Sequence, residues 1–341
     1  MKASGIQIIG TQRSGSNLLR VILDQSPEIA SPHPPHILVT FHPLLNLYGP
    51  LADDENYKNL VNDVVEYVKA NPVPWGGVEL HADELYNESA VNSLFELNRL
   101  IYEKAAESKQ AKYWCCKSMN NVYFADELEA QPDKLKYIYL YRDGRDVAAS
   151  FKKAVVGDKH IYHIATQWKK DQDASLALVK RIPAERVFSL SYENLIGDPE
   201  HTVRNLCGFL EIGYNDRMLE YYTSNTSKIT AASGEMWQNL EKPIIKTNTG
   251  KYLKEFQEND LEIFELVAGD VLLELGYPLH TDRSDKTLID QDKLPAYLLE
   301  NHLLKQSVIN SAKKQDMENR QGQAAILEKI KARNSYSIEQ H

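Results

Sequence analysis

The sequence predicts an α/β fold in which a central, mainly parallel β-sheet is flanked by helices, followed by a helical C-terminal tail. Three short apolar runs, at residues 6–10, 136–142 and 186–195, have the length and the branched or aromatic content of strands. A polar turn and then apolar residues at helical spacing follow each run. Strands that alternate with helices form parallel sheets covered on both faces.

The three strand-turn-helix units follow one another along the chain. The first reads IQIIG, then TQRSGSN, then the helical pattern LLRVILDQ. The second reads KYIYLYR and continues through a charged turn into DGRDVAASFKKA. The third begins at Arg186 with RVFSLSYENL, passes Gly197-Asp198-Pro199 and enters EHTVRNLCGFLEI, whose apolar spacing is helical.

Two further regions complete the organisation. Residues 51–111 contain the helix-like stretches NLVNDVVEYVKA and NSLFELNRLIYEKAAESK, separated by the loop NPVPWGG, and we expect them to cover the sheet or shape a binding site. After about residue 281, LPAYLLENHLLKQSVINSAKK is typical of an amphipathic helix. The tail is expected to dock on its own subunit or to form a homo-oligomer, through Leu294, Tyr297, Leu298, Leu303 and Leu304.

Composition narrows the class of protein. The 341 residues are 43% hydrophobic and 26% charged, as in ordinary globular domains, and the net charge of -9 argues against nucleic-acid or anionic-membrane partners. The N-terminal MKASGIQIIGTQ fits neither a signal peptide nor a membrane anchor, so we predict a cytoplasmic protein without integral membrane association. Cys115, Cys116 and Cys207 lack the spacing of a zinc or dithiol site and are predicted to be reduced, packed thiols.

The loop after the first strand has the features of an anion-binding turn. It places Gly10, small hydroxyl residues and Arg13 directly before a helix, whose first N–H groups and dipole favour negative charge. Gly15 lets the backbone approach a phosphate closely. The loop has no lysine, whereas a GxxxxGK loop of a nucleoside triphosphatase carries one, so a kinase is the weaker prediction. The alternative is a capped helix with a solvated arginine.

The second loop offers an independent cation at another strand exit. Arg142 and Ser150, eight residues apart across RDGRDVAAS, could converge on one phosphate. The alternative is a capping turn held by internal Asp–Arg pairs.

Together these loops resemble those of the sulfotransferases that use 3′-phosphoadenosine-5′-phosphosulfate (PAPS). The similarity rests on GTQRSGSNLLRVIL and YLYRDGRDVAASFKK, and continues through SYENL, GDP and NTGKYLKEFQENDLEIFELVAGDVLLELGYP. It implies a P-loop-like three-layer fold, a sulfotransferase domain over residues 1–280 and an appended helical extension over 281–341. It also implies metal-free transfer of a sulfuryl group from PAPS to a hydroxyl or amine of an unidentified acceptor.

The resemblance assigns roles to particular residues. The 5′-phosphosulfate is expected on the first loop, at Arg13, Ser14, Gly15, Ser16 and Asn17. The 3′-phosphate is expected on the second loop, at Arg142 and Ser150, with Gly250 and Lys251 in a segment that closes over it. The adenine is expected near Tyr192. Lys117 matches a lysine that neutralises charge on the transferring group, although Met119 stands where many relatives have proline.

A general base for the acceptor is expected just beyond the first helix. SPHPPHILVTFHPLL supplies His33, His36 and His42, and histidine titrates near neutrality. Relatives that act on hydroxyl groups often use a glutamate or a histidine near this region. This sequence departs from the carboxylate version, so the assignment to His33 or His36 is a substitution hypothesis, and the acids of residues 76–88 are the alternative. The histidines could instead be structural, and two on a proline-rich turn predict no metal site.

Two other functions remain open at the level of sequence. A kinase or other nucleotide-dependent phosphotransferase would share the strand-loop-helix layout and would need magnesium. A non-catalytic binding protein could keep the fold and the donor loops without turnover.

Overall fold

The fold is that of an α/β protein with a five-stranded parallel sheet, in a computed structural model that describes residues 2–257 and 259–338. The strands are β1 (Ser4–Gly10), β2 (Ile29–Ala30), β3 (Tyr113–Cys116), β4 (Lys136–Tyr141) and β5 (Val187–Ser191). Their order across the sheet is β2-β3-β1-β4-β5, and Ile8 lies opposite Ile138 in the register of β1 with β4. The predicted fold class is confirmed.

Helices cover both faces of this sheet. The helices before β4 are α1 (Ser16–Asp24), α2 (Ile37–Phe41), α3 (Asp54–Lys69), α4 (Ala82–Glu88), α5 (Leu94–Lys109) and α6 (Ala125–Glu129). The later ones are α7 (Gly144–Lys153), α8 (Ile161–Arg181), α9 (Tyr192–Gly197), α10 (Pro199–Leu210), α11 (Asn225–Ala232), α12 (Tyr252–Glu255) and α13 (Asp260–Glu274). Single 3₁₀ segments connect them, at His42–Leu47, Met119–Phe124, Ala184–Arg186, Asp216–Met218, Tyr221–Thr223, Glu235–Glu241 and Lys286–Ile289.

The core is divided by the sheet, because successive strand residues point to opposite faces. Ile6 and Ile8 of β1 are fully buried in a cluster that includes α1 and α10, whereas Ile9 belongs to the cluster on the other face with α3 and α5. The adjacent thiols of Cys115 and Cys116 also fall into opposite clusters. All three cysteines are buried and unpaired, which agrees with a packing role.

The tail contains two helices, α14 (Leu294–Ser311) and α15 (Lys314–Ile338). The predicted helix α14 packs on α8, where the ring of Tyr297 stacks on His160 at 4.2 Å. Its apolar residues do not form one buried stripe, since Leu298 is 61% and Leu303 56% exposed. The second helix packs on α3 of the same chain.

Candidate functional site

One edge of the sheet collects residues from every strand. Parallel strands end at the same edge, and open α/β sheets bind ligands there. His33 follows β2, Lys117 follows β3, Arg13 follows β1, Arg142 follows β4 and Tyr192 follows β5. The order of the strands therefore sets the order of these side chains along the edge.

These five residues line a single cavity of about 830 Å³. Its two ends have different composition. We call one end the two-loop half, defined by Gln12, Arg13, Gly15, Ser16, Asn17, Arg142, Ser150, Tyr192 and Lys251. We call the other end the histidine half, defined by His33, His36, Asn71, Met236, Trp237, Leu240, Arg320 and Gln323.

The first loop is shaped by two residues in the left-handed region, Arg13 (φ 71°) and Gly15 (φ 86°). A Cβ atom added at Gly15 would lie 2.3 Å from the ring of Tyr192, so glycine is required by both conformation and space. α1 begins at the next residue, which turns its free N–H groups toward the cavity. The Ser14 hydroxyl is buried without a hydrogen-bond partner among the residues described.

Arg13 joins the first loop to the second. Its Nε donates to Oγ of Ser150 at 3.0 Å, and Arg142 donates to the Arg13 carbonyl oxygen at 3.1 Å. Burial, and then the positive charge of Arg142, lower the pKa of Arg13 to about 10. Two positive charges are thus held close together, and an anion bound between them would reduce their mutual repulsion. The two loops therefore contact each other directly, while the convergence of Arg142 and Ser150 on one phosphate stays a prediction.

Arg142 lies at the centre of the two-loop half. Its guanidinium stacks 4.4 Å from the ring centroid of Tyr192, donates to the Asn248 carbonyl oxygen at 2.8 Å, and lies 3.6 Å from the Asp146 carboxylate. Its Nε is buried and has no partner in the described part of the chain. The Asn248 side chain donates to the Tyr192 hydroxyl at 2.5 Å, which fixes the ring.

The closing segment is attached to the second loop through Asp146. Its carboxylate accepts from the backbone N–H of Gly250 at 2.8 Å and of Lys251 at 2.7 Å. Lys251 lines the cavity, whereas Gly250, with φ 65°, lies in the turn and does not. In the first loop, Ser14 is fully buried and does not line the cavity either. Ser14 and Gly250 are thus two residues predicted to bind the donor that do not line the cavity.

Arg145 forms the internal Asp–Arg pairs that were the alternative interpretation of the second loop. Its guanidinium is buried and binds Asp143 at 2.8 Å and Glu265 at 2.7 Å. The Asp143 side chain caps α7 by accepting from the Arg145 N–H. The segment RDGRD therefore splits its two arginines: Arg145 holds the fold and Arg142 faces the cavity.

In the histidine half, the loop NPVPWGG fixes the position of His33. The His33 carbonyl oxygen accepts from Asn71 at 2.8 Å and from the Trp75 indole at 2.6 Å. Its ring meets Trp237 edge-on at 4.9 Å, and neither ring nitrogen has a hydrogen-bond partner within the described chain. Burial, and then the charge of Lys117, lower the pKa of His33 well below its usual value.

His36 is the second histidine on this wall. It precedes α2 in the left-handed conformation, with φ 60°. Burial, then Lys117 and Arg320, lower its pKa to about 3, so both histidines are neutral at pH 7. A neutral imidazole is the form that accepts a proton.

His42 does not reach the cavity and is corrected as a candidate base. It is exposed and packs beside Phe95 and Phe124, because the 3₁₀ segment His42–Leu47 turns away from the sheet edge. The acids of residues 76–88 also fail to line the cavity, since α4 packs on α3 and α5.

Lys117 stands between the two halves. It is buried, and desolvation, then Arg20 and Arg13, lower its pKa to about 7. Its charge in turn contributes to the lowered pKa values of His33 and His36. It is therefore coupled electrostatically to both ends of the cavity.

Several cavity residues were missed by sequence reasoning. Asn71, Trp237, Arg320 and Gln323 come from parts of the chain that carried no motif. The one signal was local: Met236 and Trp237 are large apolar residues in an otherwise polar stretch. Nothing in the sequence placed that stretch beside the histidines.

The described residues contain no group of three or more His, Cys, Asp or Glu side chains arranged to hold a metal ion. They also contain no helix that is long and apolar enough to cross a membrane.

The chain belongs to the sulfotransferase family, whose sequence profile matches residues 5–216. The fold is similar to the sulfotransferase domain of the olefin synthase of Synechococcus PCC 7002, with a TM-score of 0.56 and 20% identity, over 82% of this chain and 98% of that domain. It is also similar to the sulfotransferase domain of the curacin biosynthetic pathway, with a TM-score of 0.55 and 22% identity, over 82% of this chain and 100% of that domain.

A protein sequence from Aquifex aeolicus (strain VF5), an uncharacterized protein, is 24% identical over 262 residues. The match covers 71% of this chain and 32% of that protein, so the chain spans about a third of the length of this relative.

Proposed function

We propose that this sulfotransferase takes PAPS as donor and transfers its sulfuryl group to a hydroxyl or amine of an acceptor, releasing 3′-phosphoadenosine-5′-phosphate (PAP). One observation carries the proposal: the two loops place Arg13, Arg142 and Ser150 in direct contact at the two-loop half of the cavity. Two separated anionic groups, such as the 5′- and 3′-phosphates of this nucleotide, suit two loops that each supply a cation.

The residues present fit such a ligand. The Arg142 Nε is a buried hydrogen-bond donor on the cavity wall without a partner among the residues described, and a phosphate oxygen would satisfy it. A cavity of about 830 Å³ lies within the range of nucleotide-sized pockets and leaves room at the histidine half. The Tyr192 ring, fixed by Asn248 and Arg142, offers a flat face for adenine.

When bound, PAPS supplies the sulfuryl group: the acceptor atom forms a bond to sulfur, the sulfur–oxygen bond to the 5′-phosphate breaks, and its electron pair leaves with PAP. The first-loop N–H groups and Arg13 stabilise charge that develops on the departing phosphate. Lys117, between the halves, neutralises charge on the transferring group and on the bridging oxygen that stays with PAP, so the side chains themselves supply the positive charge.

The acceptor proton passes to a histidine in this scheme. His33 is the leading base because its ring is neutral, buried on the cavity wall and unpaired at both nitrogens within the described chain. His36 is the second candidate, with the same neutral form and the same Lys117 nearby. The negative charge of a bound donor would raise both pKa values and strengthen either base.

Calorimetry and thermal shift with PAP test the proposal, beside adenosine 5′-phosphate and ATP with magnesium at fixed ionic strength. We expect PAP, in the presence of a chelator, to bind tightly and stabilise the protein more than either other nucleotide. No response to PAP, or a preference for magnesium and ATP, would overturn the donor assignment and favour a phosphotransferase. Binding of PAP without turnover in an acceptor screen would favour a non-catalytic binding protein.

The cytoplasmic location, the absence of nucleic-acid and integral membrane partners, and a homo-oligomer through the tail stay predictions.

A further inference from the structure

Helix α15 is not a free appendage, since its Arg320 and Gln323 line the histidine half. Its Asn319 side chain donates to the Ser233 carbonyl oxygen at 3.1 Å, and its Gln323 side chain donates to the Tyr67 carbonyl oxygen at 3.2 Å. Further along, Ile330 is fully buried and Arg333 is paired with Asp63 of α3. The helix is therefore held at several points on its own subunit.

These contacts join two walls that are distant in sequence. Tyr67 belongs to α3, which leads into Asn71 and the loop that holds His33. Ser233 precedes the 3₁₀ segment Glu235–Glu241, which supplies Trp237. By bridging these walls, α15 becomes part of the cavity lining.

The side chain that α15 contributes nearest the histidines is Arg320. Its guanidinium carbon lies 5.8 Å from the Trp237 ring centroid, and its charge contributes to the lowered pKa of His36. The same wall carries Glu235, which is paired with Lys313 at 3.4 Å. Arg320 and Glu235 therefore border the apolar surface that Met236, Trp237 and Leu240 form on the cavity wall.

We propose that α15 forms a wall of the acceptor site and that Arg320 determines specificity, by selecting acceptors that join an apolar body to an anionic group. That this end of the cavity binds the acceptor rests on the proposed function, whereas the preference for an anionic ligand can be measured independently of it. The apolar body packs on Trp237, and the anionic group is bound by the guanidinium of Arg320. The reacting hydroxyl or amine then points toward His33 and Lys117.

Matched pairs of small molecules can test this preference by direct binding. The probes are 4-hydroxyphenylacetate with its neutral amide, and 10-hydroxydecanoate with its neutral amide, titrated by calorimetry with and without PAP. In the wild type we expect each acid to bind about tenfold more tightly than its amide, as for one charge-assisted contact. Arg320→Gln should remove this preference, and Arg320→Lys should keep part of it.

Lys329→Gln is the matched control, because Lys329 lies on the same helix, is exposed and pairs with Glu66 outside the cavity. It should leave the preference unchanged. Equal binding of acid and amide to the wild type, no binding of either pair, or a full preference in Arg320→Gln would overturn the proposal. If PAP itself fails to bind, the donor assignment falls, while the acid-to-amide ratio still decides the role of Arg320.

Discussion

The two halves of the cavity are built in different ways. The two-loop half takes its first loop, Arg142, Ser150 and Tyr192 from three strand exits, and its contacts reproduce local motifs. The histidine half draws on His33, Asn71, Trp237 and Arg320, which are spread over nearly the whole chain. Under the proposed function, recognition of the donor depends on short segments of sequence, whereas recognition of the acceptor depends on how distant segments pack.

The halves also differ in how their charges are balanced. In the two-loop half, Asp146 lies 3.6 Å from Arg142 and holds the closing segment by its backbone. In the histidine half, burial and the charge of Lys117 keep His33 and His36 neutral. Under the proposed function, the two-loop half binds the phosphates of the donor, and the histidine half binds the acceptor and takes up its proton.

Removing the proposed general base should have the largest effect of all the substitutions. It should lower turnover, through the histidine half, without changing nucleotide binding at the two-loop half. We expect His33→Asn, and less so His36→Asn, to lower kcat by about 10²- to 10⁴-fold with saturating donor, the range for general base catalysis. Asparagine also tolerates the left-handed backbone of His36. Steady-state kinetics with any acceptor found by screening measures this.

The control for that series is His42→Asn, which lies outside the cavity and should keep wild-type turnover. PAP affinity should be unchanged in all three variants. If the His33 and His36 variants both turn over normally, the histidine half does not supply the base.

Removing a loop cation should act on the other half. Arg13→Ala and Arg142→Ala are each expected to weaken PAP binding by about 10- to 100-fold, because each removes a charge-assisted contact. Calorimetry gives the dissociation constants. The control is Arg204→Ala, which removes an exposed arginine paired with Glu200 and should leave the affinity for PAP unchanged. Wild-type affinity in either loop variant would place the nucleotide elsewhere.

The pH dependence of PAP affinity reports on Lys117, between the halves. Its pKa is lowered to about 7, so it is charged below that pH and loses its proton above it. The contribution of Lys117 to PAP affinity should be complete below pH 7. Above pH 7 the affinity should fall by up to about tenfold per pH unit, until the pH reaches the higher pKa that Lys117 has in the complex.

Lys117→Gln is the reference for this profile, since ionisation of the nucleotide affects both proteins equally. The ratio of wild-type to variant affinity should decline above pH 7. A ratio that is flat with pH would mean that Lys117 does not contact the bound anion.

The smallest effect is expected from α14, which holds the end of the loop between α7 and α8. Asn301 accepts from the backbone N–H of Lys159 at 2.7 Å and of His160 at 3.0 Å, at the end of the loop that lines the cavity with Val155 and Val156. Asn301→Ala should weaken PAP binding a few-fold and lower the free energy of unfolding by about 1–3 kcal/mol, because two buried donors lose their acceptor.

Asn310→Ala, at an exposed position of the same helix, is the control and should affect neither quantity. Calorimetry and urea denaturation measure both. If Asn301→Ala binds PAP as the wild type does, α14 has no part in shaping the donor end.

The sequence predicted the parts of the molecule that local patterns determine. β1, β4 and β5 were recognisable because each is an apolar run followed by a turn, and the contact between Arg13 and Ser150 follows from two adjacent strand exits. β2 has two residues and β3 four, too few for a periodic signal. Packing at the ends of these short strands is what places His33 and Lys117.

The histidine half could be predicted only in part. His33 and His36 were found by their chemistry, but the same reasoning also selected His42, since spacing alone did not show where the chain turns away. Arg320 had no local signal at all, because its position depends on α15 docking across α3 and Ser233. Long-range packing of this kind is not encoded in a short motif.

The most direct test of the central claim is a metal-free calorimetric titration of the wild type with PAP and with adenosine 5′-phosphate, which lacks the 3′-phosphate. We expect PAP to bind far more tightly, and Arg142→Ala to remove most of the difference between the two nucleotides. Equal affinities in the wild type, or a difference that survives Arg142→Ala, would contradict the assignment of the 3′-phosphate to the second loop.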